Sequence, residues 1–494
     1  MLYEKLSSYA LTKDYPFHMP GHKRNQTLFP ADEWLPYQMD ITEIEGFDNL
    51  HDPQGILAGS MDWAARIYGT ARTYYLINGS SCGNLAGICA MTKRGDGILM
   101  ARNCHQSVYH AVVQNGLNPC YIYPEYYKGK KLGILKGISS GQVKEALDRY
   151  PGVKLLVITS PTYEGFLSEL EEIANIAHNH DIPLLVDEAH GAHLPFCEKG
   201  NEGVISAITA GADLVVQSVH KTLPSLTQTA LLHVTHEGQK RVDMERILYF
   251  LRVYQSSSPS YPLMAAIERS ISFASEHPEC FKAHDRRLKD FYQEMEKLKA
   301  LQVMVPEGEP FDRHKLVIIT ENVWIGNRPL TGKCLSDILF QKYHLVMEMA
   351  SMYYVIAMTS ICDSKEGLFR LSAALLEIDK NCVPREESRI KKDFMEIQEK
   401  TGGERLYEVE DFGINLLPWE VMEQGKEWIS MEKALGRKSS RNVLIYPPGI
   451  PILVVGETVT EKCLEEITKT REAELPVKGI KLLEEKVLLC VMKP

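Results

Sequence analysis

Short apolar runs that end in polar residues recur through the first half of the chain, with amphipathic stretches between them. GILMARN at 97–103, CYIYP at 120–124, KLLVITSP at 154–161, PLLVDEAH at 183–190 and DLVVQSVHK at 213–221 are strand-sized. TYYLI at 73–77 reads as another strand, set between helices predicted over MDWAARIYG and GNLAGICAMTKR. GQVKEALDRYPG and SELEEIANIAHNHD carry helical spacing. Repeated strand–helix–strand order predicts an α/β domain whose mostly parallel sheet is covered on both faces. Ligand sites in such sheets form beyond the C-terminal strand ends.

The pattern changes along the chain. Residues 1–55 are rich in Pro, His and Asp and read as an extended or irregular arm. The large domain is expected over 56–305, with a charged helical connection at 240–300. After Pro306, HKLVIIT, HLVMEM and YVIAMTS predict strands, and a helix from Ser364 to about Ile378 follows. This stretch, 306–385, reads as a smaller α+β domain. Residues 386–494 read as a C-terminal domain with a charged helix, a YPPGIP turn at 446–451 and short strands such as ILVVG.

Composition narrows the function class. The chain has 494 residues, enough for two or three domains. A net charge of −10 argues against nucleic-acid binding by bulk positive charge. No apolar run approaches a membrane span or a signal-peptide core, so a cytoplasmic protein is expected. The 11 cysteines contain no CxxC pair, which favours reduced thiols over a zinc ribbon or redox motif.

Four features stand where a parallel sheet would present them together. Asp187 ends PLLVD; a carboxylate there can keep a pyridine nitrogen protonated. Lys221 follows DLVVQSVH, and a lysine that loses its proton can form an imine with an aldehyde. Ser218 and His220 flank it and suit a phosphate group. Asn78-Gly79-Ser80-Ser81-Cys82-Gly83 joins a strand to a helix, so Ser80, Ser81 and the helix N-terminus can cradle an anion. His105, after GILMARN, can stack on a flat ring. Together they form a phosphate cradle, a stacking ring, a pyridinium partner and an imine lysine, an order that resembles fold-type-I pyridoxal-phosphate enzymes.

The resemblance narrows on FHMPGHKRN at 17–25, DITEIEGFDNLHDPQG at 40–55, NGSSCGN at 78–84, RNCHQS at 102–107, SPTYEG at 160–165, DEAHGAHLPF at 187–196, SVHKTLPSLTQTA at 218–230 and YPPGIP. These motifs are similar to those of the Orn/Lys/Arg decarboxylase family and span nearly the whole chain. The resemblance implies pyridoxal 5′-phosphate as cofactor and loss of CO2 from arginine, lysine or ornithine, giving agmatine, cadaverine or putrescine. Lys221 would carry the cofactor as an imine, Asp187 would pair with the pyridine nitrogen and His105 would stack on the ring. Ser80, Ser81, Ser218 and His220 would surround the phosphate, with Ala189 beneath the ring. His220 or Lys221 would return a proton to Cα. Glu348 resembles a position near the substrate's distal cation, and His22 would lie near the substrate pocket. A homodimer or higher homo-oligomer with sites near the interface is implied. The PGH motif begins by residue 20, so the N-terminal wing domain of larger members is not expected. Those members have Trp where this chain has His190.

Other readings fare less well. DEAH at 187–190 invites a helicase, but GNRPLTGKC at 326–334 lacks the phosphate-loop spacing and its Ser or Thr. His18 with His22, and His190 with His193, would need helical spacing to share a metal; Pro20 and Gly21 break the first pair, and the second follows a strand, so no metal is expected. An aminotransferase would need an arginine for the substrate carboxylate. Arg370 falls off the apolar face of its helix and is expected to be solvated. A non-catalytic regulator would tend to lose Lys221 or Asp187, and both are present.

Overall fold

A computed structural model describes residues 15–17, 48–129, 131–197, 204–384, 416–445, 450–472, 475–483 and 486–494. The core sheet is built from β2 (Arg72–Leu76), β3 (Gly97–Ala101), β4 (Asn118–Ile122), β5 (Val153–Thr159), β6 (Leu184–Asp187), β7 (Leu214–Gln217) and β8 (Ala230–Val234). Strand β1 (Tyr15–Phe17) lies elsewhere. The order is β2-β8-β7-β6-β5-β3-β4. Neighbours from β7 to β4 pair in parallel, while β8 runs antiparallel to both β7 and β2. β2 therefore points the same way as the parallel strands, and its end reaches the same edge.

Every residue of β6, β7 and β8 is buried, as expected of strands covered on both faces. The covering helices are α1 (Ile56–Tyr68), α2 (Gly79–Met91), α3 (Gln106–Gln114), α4 (Ser140–Arg149) and α5 (Leu170–Asn179), with the one-turn helices α6 (Leu194–Cys197) and α7 (Val219–Thr222). Helix α2 lies close against the sheet. A Cβ on Gly83 would stand 2.7 Å from Leu76 Cδ1 and 2.9 Å from Val216 Cγ1, and one on Gly87 2.7 Å from Leu185 Cδ1. Glycine at both positions permits that approach.

The charged segment after β8 forms three helices, α8 (Met244–Tyr254), α9 (Tyr261–Glu276) and α10 (Pro278–Met295). The next unit holds β9 (Gln302–Val303), β10 (Lys315–Ile319), β11 (Val323–Ile325), β12 (Arg328–Pro329), α11 (Gly332–Tyr343), β13 (Leu345–Met347), β14 (Met349–Ala350), β15 (Tyr354–Met358), α12 (Lys365–Asp379) and β16 (Cys382–Pro384). Its main sheet runs β14-β15-β10-β9. Ser364 caps α12, its Oγ accepting from Gly367 N at 3.0 Å. The expected HLVMEM strand divides at Glu348 into β13 and β14. Part of the N-terminal arm belongs here too: β1 pairs in parallel with β13, and Phe17 is buried in this unit's core.

The C-terminal residues add two three-stranded sheets. The charged helix expected just after 386 and most of the YPPGIP turn lie outside the described residues, as do His18 and His22. All eleven cysteines are free thiols. Among the described residues no helix is long and apolar enough to cross a membrane.

Candidate active site

Asp187, the last residue of β6, is buried at the C-terminal edge of the sheet. Its carboxylate accepts from Asn84 Nδ2 at 2.8 Å and from its own turn through Ala189 N at 3.2 Å. Asn84 Nδ2 also donates to Ser107 Oγ at 3.0 Å. Ser107 Oγ in turn lies 2.9 Å from His105 Nδ1, and His105 caps α3 by accepting from Ser107 N. One hydrogen-bonded line thus runs from the carboxylate to the imidazole. Burial pulls His105 down to about 4, with Asp187 opposing and Lys221 reinforcing that shift. That leaves the ring uncharged near neutral pH.

Lys221 sits on the single turn α7, four residues beyond the end of β7 rather than on the strand end itself. Its Nζ lies 3.1 Å from His190 Nε2. Burial lowers Lys221 from the usual lysine value, while Asp187 and Glu348 pull the other way. A lysine in that balance can give up its proton and act as a nucleophile.

The turn around Lys221 and the start of α2 are tied to the same strip of chain. Gly79 N donates to Gln228 O at 2.9 Å, and Val219 N donates to Thr229 O at 3.1 Å. His220 Nδ1 lies 2.8 Å from Thr229 O, which places the proton on Nδ1. Ser80 and Ser81 occupy the first turn of α2 and are partly exposed. Ser218 is fully buried at the N-cap of α7, and its Oγ has no hydrogen-bond partner. A buried hydroxyl without a partner beside a helix N-terminus fits an anionic group held there. Ala189 is buried directly after the Asp187 turn.

A second group of side chains faces the lysine from the SPTYEG loop and the smaller unit. Tyr163 OH donates to Glu348 Oε1 at 2.5 Å, and the Tyr163 ring meets the edge of His190 at 4.9 Å. His190 Nδ1 lies 2.6 Å from Lys315 Nζ, at the start of β10. Asn84, Ser107 and Tyr163 lie within motifs that carry the resemblance but were given no role there, and Lys315 lies in none of those motifs. Asn84 lies inside an ordinary helical pattern, and Lys315 opens a strand as a surface lysine would.

The sequence profile of the Orn/Lys/Arg decarboxylase major domain matches residues 1–361, and that of the family's C-terminal domain matches residues 419–473. The chain belongs to the Orn/Lys/Arg decarboxylase family. It is 33% identical to the uncharacterized protein YaaO of Bacillus subtilis (strain 168), over 99% of this chain and 98% of that one. It is 30% identical to the arginine decarboxylase of the same organism, over 97% and 95% of the two chains. The fold is similar to that of lysine decarboxylase A from Pseudomonas aeruginosa, with a TM-score of 0.75, 20% identity, and coverage of 99% of this chain and 80% of that one. The family is one of amino-acid decarboxylases, and the fold is that of the fold-type-I pyridoxal-phosphate enzymes.

Within this family frame the rival features have structural explanations. Glu188 of the DEAH stretch is fully buried and accepts from Ala207 N and Gln217 Nε2, both at 2.7 Å. Arg370 is not simply solvated as the sequence suggested. Its Nη2 donates to Tyr343 O at 3.1 Å and His344 O at 3.4 Å, at the C-terminal end of α11, where a cation complements the helix dipole. His193 converges with Asp312 and His314 rather than with His190; Asp312 Oδ1 lies 3.3 Å from His193 Nε2 and 2.8 Å from His314 Nδ1. This buried group joins the loop after β6 to the lead-in of β10.

Proposed function

We propose that the protein removes the α-carboxylate of a basic amino acid as CO2, using pyridoxal phosphate held at the edge described above. The observation that carries the reading is a deprotonation-prone Lys221 that feels the charge of a buried Asp187, with the unpartnered Ser218 Oγ three residues before the lysine. Bound there, pyridoxal phosphate supplies an aldehyde for the substrate amine and a protonated ring that takes up the electron pair released with CO2.

In this reading each side chain has its own task. Asp187, oriented by Asn84 and Ala189 N, holds a proton on the ring nitrogen. Ser80, Ser81 and Ser218 donate to the phosphate with the N-terminus of α2, and His220 lines that end. His105 covers one face of the ring and Ala189 the other. Lys221 anchors the cofactor and, freed by substrate, is placed to move a proton at Cα; His220 is the other candidate. Glu348, steadied by Tyr163, offers a carboxylate to the substrate's distal cation. His22 joins the proposed substrate residues on the family resemblance alone.

Arginine leads the three candidate substrates because relatives matched over nearly their whole length carry that activity in their names. Its product would be agmatine; lysine and ornithine would give cadaverine and putrescine. We also propose division near residues 55, 305 and 385, a cytoplasmic setting, and a homodimer or higher homo-oligomer with sites at its interface, which sedimentation would test.

The deciding experiment incubates purified protein and pyridoxal phosphate with each amino acid and measures CO2 and amine. Release from arginine, or from either alternative, supports the reading. Transfer of the amino group to a keto acid without CO2 overturns it in favour of an aminotransferase. No turnover and no retained cofactor would point to a non-catalytic regulator. Lys221→Ala should retain no cofactor colour after gel filtration.

A further inference from the structure

His190 stands between two lysines. Its Nε2 is 3.1 Å from Lys221 Nζ and its Nδ1 is 2.6 Å from Lys315 Nζ. A neutral imidazole has one N–H and one lone pair. The ring can therefore accept from one ammonium and must donate to the other nitrogen, which has to be an amine. Burial, the largest influence, with neighbouring lysine charge in support, holds His190 well below its usual value, so the ring is neutral. The trio accordingly carries at most one ammonium.

Geometry says which lysine it is. The Lys315 contact is shorter by half an ångström, as charge-assisted hydrogen bonds are. Lys315 is 1% exposed, and its ammonium faces the Tyr163 ring at 5.8 Å. Asp312 lies three residues before it on the loop into β10; the histidine pair on Asp312 overcomes burial and holds it ionised. Glu164 also feels the Lys315 charge. The backbone is shaped for this lysine: Gly165 has φ +114°, and a Cβ there would stand 2.9 Å from Lys315 Cγ. Lys221 faces Asp187 and Glu348, with His105 and His190 around it.

We propose that Lys315 holds the single proton shared by the two lysines, and that His190 relays it, so that Lys221 rests as a free amine. For Lys221 to donate a proton it first takes one: the N–H bond at His190 Nε2 breaks as one forms at Lys221, which then passes a proton on. Another N–H bond breaks at Lys315 as one forms at His190 Nδ1. The ring changes tautomer, and no electrons are gained or lost. The role in turnover rests on the decarboxylase reading; the proton count does not.

Two measurements test it on the full chain, freed of any bound aldehyde by dialysis against hydroxylamine. In protein carrying 15N-histidine, with His190 assigned through His190→Phe, neutral pH should show Nε2 protonated and Nδ1 bare. The opposite tautomer overturns the proposal. The second measurement follows acetylation of Lys221 by trace acetic anhydride against pH, mapped by peptide mass. Wild-type Lys221 should react with a midpoint well below that of exposed lysines. Lys315→Met should move the whole profile up by about one pH unit. An unchanged profile overturns the proposal. Should Lys315→Met fail to fold, the tautomer alone decides. Failure of all three amino acids to release CO2 would sink the decarboxylase reading and leave both of these results standing.

Discussion

Asn84 Nδ2 donates to Asp187 Oδ2 across 2.8 Å, from a helix whose first turn carries Ser80 and Ser81. One helix therefore serves both ends of the proposed cofactor site. Replacing Asn84 by Leu leaves a buried carboxylate oxygen short of a donor, at a cost of about 1.5–3 kcal/mol. The expected outcome is weaker retention of pyridoxal phosphate and at least tenfold lower turnover. Equilibrium dialysis and steady-state kinetics check it; wild-type values would remove Asn84 from the site.

Glu348 is held by Tyr163 at the lysine side of the pocket. Glu348→Gln keeps the shape and removes the charge. KM for the preferred basic amino acid should rise tenfold or more, with a smaller change in kcat, because the lost contact serves ground and transition state alike. Tyr163→Phe should show a weaker form of the same effect. A kcat loss at unchanged KM would assign Glu348 to the chemistry instead.

Acid should destabilise the protein through its buried histidines. Burial lowers His233 to about 3 and His105 to about 4, against an ordinary value of 6.5. His190 and His193 are lowered as well, while Asp312 raises His314 and so works in the opposite direction. Between pH 6.5 and about 4 the unfolded chain binds more protons than the folded one at each lowered site, so stability falls as pH falls through that window. Each such proton contributes about 1.4 kcal/mol per pH unit. His233 bonds Thr73 Oγ1 at 2.8 Å and Gln217 Oε1 at 3.2 Å. Urea unfolding of His233→Gln should show a pH slope shallower by one proton; an unchanged slope would show that His233 does not titrate there.

Arg102, at the end of β3, is 1% exposed and reaches the C-terminal residues. Its Nη2 lies 3.0 Å from Glu457 Oε2, and its Nη1 donates to Pro451 O at 3.0 Å. Removing one member of a buried pair leaves an uncompensated charge, worth about 3–5 kcal/mol. Glu457→Gln should lower the urea midpoint by a corresponding amount. Because Arg102 lies three residues before His105, cofactor retention should fall with it.

The sequence made the parallel strands legible because each is a short apolar run closed by a polar residue, as in PLLVD and DLVVQ. Strand β8 was harder. ALLHV returns antiparallel after a loop that holds Lys221, and it breaks the strand–helix alternation. Asp187, Lys221 and His105 stood out because their side chains interrupt or follow apolar runs. Asn84 and Lys315 did not, because their importance lies in contacts 103 and 125 residues distant. Arg370 misled for a related reason: a helix-face argument sees its own helix, not the carbonyls of the neighbouring one.

Gly83 and Gly87 set how high α2 rides on the sheet. The proposed anion seat at its first turn and the Asn84 amide are carried on that rod. Two missing methyl groups thus fix the gap between the phosphate end and the ring-nitrogen end. An alanine at Gly83 would act as a shim, lifting the rod and detuning both ends at once without touching any residue that contacts the cofactor.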